Sequence, residues 1–279
     1  MTTVAAELLV HDYAKRLKLP VVGSQASRFA EEAASQRLGA MEFLASLLEA
    51  EVHQREANAE RNRIAQARFP EIHELSDFDF SRIPSLNSQL VLELAGGGYI
   101  ERREVVLAVG PPGTGKTHVA TALGLAACRQ GKRVRFMTVS ELVTDLAEAQ
   151  AEHRLSRLAA QVDRVHLLVL DELGFVKLNS DQAQLLFTLL AHRYIRGGLI
   201  VTSNLNFADW TAVFNDDARL TAALLDRITH RCQLLEFHGE SYRFRQSLAA
   251  REGKLPPPPA PVTPPPHRRR PAPAGAKVG

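Results

Sequence analysis

Short β-rich runs at Val105 to Val109, Val134 to Thr138, Leu167 to Leu170 and Leu199 to Thr202 alternate with helical stretches. This alternation predicts a parallel sheet with crossover helices, because parallel strands need long connections and bury both faces. Ahead of them, over residues 1–68, apolar positions recur at steps of three and four. Met41, Leu44, Leu47, Leu48 and Val52 fall on one helical face, and a small helical domain is predicted there. Between the two patterns, Phe69 to Arg103 holds Pro70, Pro84 and the run Gly96, Gly97, Gly98, which mark turns and a boundary.

The far end reads differently again. Ten of the 15 prolines lie between Pro256 and Pro273. Proline removes a backbone donor and fixes φ, so no packed element is predicted there. The expected organisation is a helical N-terminal domain at 1–68, an α/β domain at 69–253 and a disordered Pro/Arg-rich tail at 254–279.

Composition narrows the class. With 279 residues and 45% hydrophobic content the chain can bury a sizeable core. No apolar run approaches the roughly 20 residues that a membrane-spanning helix needs. Met1 to Pro20 carries Glu7, His11 and Asp12 where a signal peptide would be apolar, with Lys15, Arg16 and Lys18 after them, the wrong order for secretion. The net charge of +3 hides a split. Lys254, Arg268, Arg269, Arg270 and Lys277 stand in the tail without an acid, so the body keeps 29 of the 34 basic residues against 31 acids, a net −2. A globally basic nucleic-acid-binding domain is not indicated, and any such surface is a local patch. Arg55, Arg61, Arg63 and Arg68 suit phosphate contacts, but Glu51, Glu56 and Glu60 interleave with them and equally suit ion pairs along a helix. Cys128 and Cys232 are far apart and show no metal-ligand spacing, which points to a reducing, cytoplasmic setting.

The first β run leads straight into Gly110, Pro111, Pro112, Gly113, Thr114, Gly115, Lys116 and Thr117, a complete GxxxxGK[ST] phosphate-binding loop. Its glycines let backbone N–H groups face a phosphate, and the next helix adds its positive N-terminus. Lys116 is expected to reach the β- and γ-phosphates of ATP, and the Thr117 hydroxyl to sit on Mg²⁺. The third run ends in Asp171 and Glu172, where ligands bind in open α/β sheets. Asp171 suits a Mg²⁺ site and Glu172 the polarising of an attacking water. The fourth run ends in Thr202, Ser203 and Asn204, and Asn204 suits a hydrogen bond to the γ-phosphate or the water. A hydrolytic site also needs positive charge on the transferring phosphoryl group, often an arginine from a neighbouring subunit. Arg227, Arg231 and Arg243 are the candidates.

Taken together, these residues resemble the IstB-like ATPases, helper proteins of one class of bacterial insertion sequences, and more distantly the DnaC and DnaA branch of the AAA+ superfamily. The resemblance runs from about Leu44 to Arg245. It includes Ala67 to Pro70, Asp77 to Phe80, Gly110 to His118, Asp171 to Gly174, Arg193 and Tyr194, Thr202 to Asn204, Leu224 to Arg231 and Gly239 to Arg243. It implies an AAA+ P-loop ATPase that binds duplex DNA with ATP and Mg²⁺, assembles into a homo-oligomer on it, and recruits or stimulates a transposase. It also implies nucleotide binding by Gly110 to His118. By the same resemblance Arg231 matches an arginine finger, Arg227 lies one helical turn before it, and Arg243 matches a second sensor. Around Arg63 to Gln66 the chain is less basic than this family leads one to expect, and the tail extends beyond the family core. A replicative helicase loader would share every nucleotide-binding residue and differ in its N-terminal partner surface. A scaffold that binds ATP without turnover fits less well with Lys116, Asp171 and Glu172 all in place, and a small-molecule kinase less still.

Overall fold

The computed structural model describes residues 3–239 and Ser241, all within one compact unit. Three helices come first, α1 (Thr3–Leu17), α2 (Pro20–Gln36) and α3 (Ala40–Ala67). Pro20 opens α2 at a position where its missing N–H costs nothing. Glu42 reaches back to accept from the Gly39 N–H at 2.8 Å and fixes the start of α3. Lys18, Arg37 and Arg68 follow the three helices in left-handed backbone conformations, with φ of 57°, 55° and 60°. Glycine is the usual occupant of that position, and a side-chain-bearing residue there carries a conformational cost.

The apolar face expected on α3 is only partly inward. Leu47 is buried, while Met41, Leu44, Leu48 and Val52 are exposed. The packing edge is rotated toward Glu51, a carboxylate only 2% exposed that accepts from the Val21 N–H at 2.8 Å and the Val22 N–H at 3.3 Å. No side chain of its own caps α2, so an acid of α3 does so from 30 residues away.

Beyond two 3₁₀ turns at Leu75–Asp77 and Phe80–Arg82 come α4 (Ser88–Ala95) and α5 (Gly98–Glu101), inside the segment expected to be a boundary. The rest alternates: β1 (Val105–Val109), α6 (Lys116–Arg129), β2 (Val134–Thr138), α7 (Val139–Ala151), α8 (Leu155–Asp163), β3 (Leu167–Leu173), α9 (Ser180–Arg193) and β4 (Gly198–Ser203). A 3₁₀ turn at Phe207–Asp209, α10 (Trp210–Val213), α11 (Ala218–Thr229) and β5 (Cys232–Glu236) complete it. The strands form one parallel sheet in the order β2-β3-β4-β1-β5. The four expected strands are all present, and β5 is an addition. Its half-exposed edge position and five-residue length left little periodic signal.

Both faces of the sheet are covered. Val105, Leu107 and Val109 point into a layer with Leu142, Leu186, Trp210, Phe214 and Leu224 of α7, α9, α10, α11 and their loops. Val106 and Ala108 point into the opposite layer with Val91, Tyr99, Val119, Leu123 and Phe237. That double burial explains why the central strands read as unbroken apolar runs. Arg193, fully buried, ties the bottom of this sheet together. Its guanidinium donates to the carbonyls of Val162, Val165, His166 and Gly198 at 3.0–3.1 Å. Burial pulls its pKa down to about 10, which still leaves it charged at neutral pH. Among the described residues, no helix is long and apolar enough to cross a membrane.

Candidate nucleotide-binding site

Strand β1, flanked by β4 and β5, ends at Val109, and the loop from Gly110 to Gly115 turns the chain into α6. Gly110, Gly113 and Gly115 have φ of 153°, 78° and 94°, conformations that side-chain-bearing residues rarely take. Space reinforces the requirement at Gly115, where an added Cβ would lie 2.6 Å from Cε2 of Phe78. At Gly113 it would lie 2.9 Å from the Ser241 Cβ. The 3₁₀ segment around Phe78 and the chain leaving β5 therefore both lie directly against the loop.

The α6 N-terminus carries the chemistry. Lys116 is 6% exposed, and its Nζ donates to the carbonyls of Gly110 and Pro111, each at 2.7 Å. Thr114 Oγ1 donates to the Pro111 carbonyl at 2.8 Å and braces the turn. Thr117 Oγ1 donates to Asp171, 3.1 Å from Oδ1 and 3.0 Å from Oδ2, which joins the loop to β3. A hydroxyl beside a carboxylate at the mouth of a phosphate loop is an oxygen donor set suited to a hard divalent cation such as Mg²⁺. The backbone N–H groups at the start of α6 and the Lys116 ammonium suit a polyphosphate.

Asp171 is 4% exposed and is also hydrogen-bonded by the Thr202 hydroxyl from β4. The same Thr202 Oγ1 accepts from the Glu172 N–H at 3.0 Å. Glu172 has φ of 64° where the pairing of β3 with β4 shifts register between Leu170 and Leu173. This bulge turns adjacent acids apart, Asp171 inward to Thr117 and Glu172 outward with its side chain exposed. Asn204 follows β4 immediately and is exposed. The sequence places the two acids but contains no sign of Thr202 as the residue that orients them.

His118 lies one residue beyond Thr117 and makes its contacts with the segment before α4. Its Nε2 is 3.0 Å from the Glu74 carbonyl oxygen, and its ring stacks on His73 at 4.3 Å and meets Phe78 at 5.3 Å. Burial lowers its pKa below the ordinary imidazole value.

The candidate arginines lie elsewhere. Arg231 is exposed at the start of β5, and its carbonyl accepts from the Val105 N–H at 2.9 Å. That is the end of β1 opposite the phosphate loop, about 13 Å away along a strand that rises roughly 3.3 Å per residue. Arg227 lies on α11, where its guanidinium covers the Phe187 ring at 4.9 Å and donates to the Ala223 carbonyl at 3.4 Å. Arg243 and the tail lie outside the described residues. Burial pushes the thiols of Cys128 and Cys232 up to about 11, so both are unreactive at neutral pH.

A phosphate loop after β1 of a parallel sheet, with paired acids at the end of β3, one strand removed across β4, defines a P-loop nucleotide-binding protein. The sequence pattern of the IstB-like ATP binding protein family matches residues 12–250, and the chain belongs to that family. It is 40% identical over 235 residues to the ATP-binding protein of insertion sequence IS21 from Pseudomonas aeruginosa, covering 84% of this chain and 88% of that protein. It is 35% identical over 237 residues to the ATP-binding protein of insertion sequence IS5376 from Geobacillus stearothermophilus, covering 85% and 94%. Among solved structures, the DnaC helicase loader superposes with a TM-score of 0.44 at 23% identity, over 54% of this chain and 87% of that one.

Proposed function

We propose that the protein hydrolyses ATP and acts as an ATP-gated assembly factor for insertion-sequence transposition, forming a homo-oligomer on duplex DNA and recruiting or stimulating a transposase. The observation that carries the hydrolytic part is the Thr117, Asp171, Thr202 and Glu172 arrangement. One buried carboxylate is fixed beside the phosphate loop, and a second is held outward by a hydrogen bond from its own backbone. The relatives named for insertion sequences support the biological setting.

In this reading Lys116 and the loop N–H groups hold the β- and γ-phosphates, and Asn204 orients water. Glu172 accepts a proton from that water as its oxygen bonds to the γ-phosphorus. The bond from the γ-phosphorus to the β,γ-bridging oxygen breaks, giving ADP and inorganic phosphate. Thr117 and Asp171 would hold Mg²⁺, which neutralises charge on the phosphates. Arg231 is too far along the sheet to reach its own phosphate loop, which supports its acting on ATP held by a neighbouring copy.

The test is fluorescence anisotropy of a labelled non-specific DNA duplex titrated with protein under ATP, ADP or no nucleotide, with Glu172→Gln to hold the ATP state. The expected result is tight binding with ATP alone, persisting in Glu172→Gln. Absence of duplex binding in every state overturns the DNA part of the proposal.

A further inference from the structure

Ser203, the last residue of β4, is 1% exposed, and its hydroxyl bonds in both directions. Oγ donates to the Leu173 carbonyl at 2.7 Å and accepts from the Leu205 N–H at 3.1 Å. Leu173 directly follows Glu172, and Leu205 directly follows Asn204. One buried hydroxyl therefore joins the backbone just past the proposed base to the backbone just past the proposed water-orienting amide. The main chain of the same residue reaches a third part of the site. The Ser203 carbonyl accepts at 3.2 Å from the N–H of Gly110, the first residue of the phosphate loop. Within the sheet Ser203 pairs with Val109 of β1 on one side and with Leu173 of β3 on the other.

The bulge in β3 explains why such a bridge is needed. Asp171 and Glu172 lie between the pairs Leu170 with Val201 and Leu173 with Ser203, where β4 supplies Thr202 alone. A bulge interrupts the ladder and lets the strand bend, so side-chain hydrogen bonds from β4 take over the holding of β3. Thr202 holds the Glu172 N–H, and Ser203 holds the carbonyl of the next residue. Packing closes the same junction. Gly174 has φ of 97°, and an added Cβ there would lie 2.5 Å from Leu205 Cδ1, so the turn leaving β3 rests on the residue after Asn204. Asn204 is itself exposed, and its place is set by the backbone on either side.

We infer that Ser203 is a positioning residue for hydrolysis, whose hydroxyl fixes Asn204 and Glu172 as one unit against the phosphate loop. This inference rests on the proposed ATPase reading. Removing the hydroxyl leaves a buried carbonyl and a backbone N–H without their partner and releases the link between the two turns. The bond to Gly110 is made by the Ser203 main chain, so the phosphate loop keeps its support and its hold on nucleotide. The loss then falls on turnover, because the groups that act on the water are no longer in register with each other.

The test measures kcat and KM for ATP, affinity for a non-hydrolysable ATP analogue, and thermal unfolding. The proteins compared are wild type, Ser203→Ala, Asn204→Ala, the double variant of the two, and Thr221→Val. Thr221 is 2% exposed and its hydroxyl donates to the Asp217 carbonyl at the start of α11, so Thr221→Val is a matched loss of a buried hydroxyl. Ser203→Ala is expected to lower kcat about 10- to 100-fold with analogue affinity unchanged, whereas Thr221→Val loses stability and keeps kcat. In the Asn204→Ala background the same Ser203→Ala change is expected to lower kcat clearly less than it does in wild type, since residues acting as a unit are not additive. Wild-type kcat in Ser203→Ala, an equal fall in Thr221→Val, or an undiminished effect in the Asn204→Ala background overturns the inference and leaves the ATPase reading standing. Absence of turnover in wild type removes that reading and the inference with it. If Ser203→Ala does not fold, Ser203→Cys, close in shape but weak as donor and acceptor, carries the same comparison with the same outcomes.

Discussion

Thr202 on β4 positions Glu172 on β3 by accepting its backbone N–H at 3.0 Å, while the same hydroxyl donates to Asp171. One side chain thus sets the separation of two adjacent acids with different proposed tasks. Thr202→Val keeps the shape and removes the hydroxyl, leaving the Glu172 N–H without that acceptor. We expect kcat for ATP hydrolysis to fall about 10- to 100-fold with nucleotide affinity little changed, and Thr202→Ser to retain most of the activity. Steady-state kinetics with a nucleotide-binding titration decides it. A Thr202→Val protein with wild-type kcat removes Thr202 from the positioning role.

How far such features could be read in advance depends on what encodes them. The phosphate loop, Asp171 and Glu172 are legible because their chemistry demands particular residues at fixed spacing beside a buried strand. The strands β1 to β4 are legible because burial on both faces forces apolar runs, most completely in the three inner ones, β1, β3 and β4. Thr202 is not, since a threonine ending a strand has no local signature and its partners lie about 30 residues away. The same is true of Ser203, whose bond to Leu173 exists only because β3 and β4 are neighbours. Helix α3 was legible as a helix and misleading as a face. Its apolar spacing marks Met41, Leu44, Leu48 and Val52, yet the bundle buries the edge that carries Glu51.

Glu51 bears on the N-terminal helices without touching the nucleotide site. Its buried carboxylate caps α2 through the Val21 and Val22 N–H groups, and Arg55 Nε lies 3.1 Å from its other oxygen. Glu51→Ala leaves these donors unpaired inside the bundle. A loss of about 1–3 kcal/mol is expected, with faster amide exchange at Val21 and Val22 and unchanged ATP affinity. Unchanged exchange at those two amides would mean that α2 does not depend on this cap.

Gly115 and Gly131 separate conformational cost from steric cost. Both have positive φ, 94° and 83°, but an added Cβ meets nothing within 4 Å at Gly131 and meets Phe78 at 2.6 Å at Gly115. Gly131→Ala is expected to cost about 1 kcal/mol of backbone strain and to leave ATP binding alone. Gly115→Ala is expected to destabilise further and to weaken ATP binding at least about tenfold, because the loop must shift from the geometry that aims its N–H groups. Thermal unfolding and nucleotide titration of the pair test this, and equal behaviour of the two variants refutes the steric part.

His118 gives the fold a dependence on pH whose sign follows from its surroundings. Desolvation is the main reason its pKa lies below the ordinary value. His73 stacked on it acts in the same direction, while the Glu74 carbonyl and Asp77 oppose. The folded protein therefore holds His118 neutral over a range where the unfolded chain, with a pKa near 6.5, has already taken up a proton. More protons on the unfolded state mean that stability rises with pH in that interval. The contribution is fully present above the unfolded value and is lost as pH falls through it toward the lower folded value. His118→Gln retains a donor for the Glu74 carbonyl and cannot titrate. Urea unfolding at pH 7.5 and 5.5 is expected to show a smaller drop in stability for the variant than for wild type. Identical drops would show that His118 does not contribute, and a larger drop in the variant would mean that protonation of the folded state is favoured and the sign is reversed.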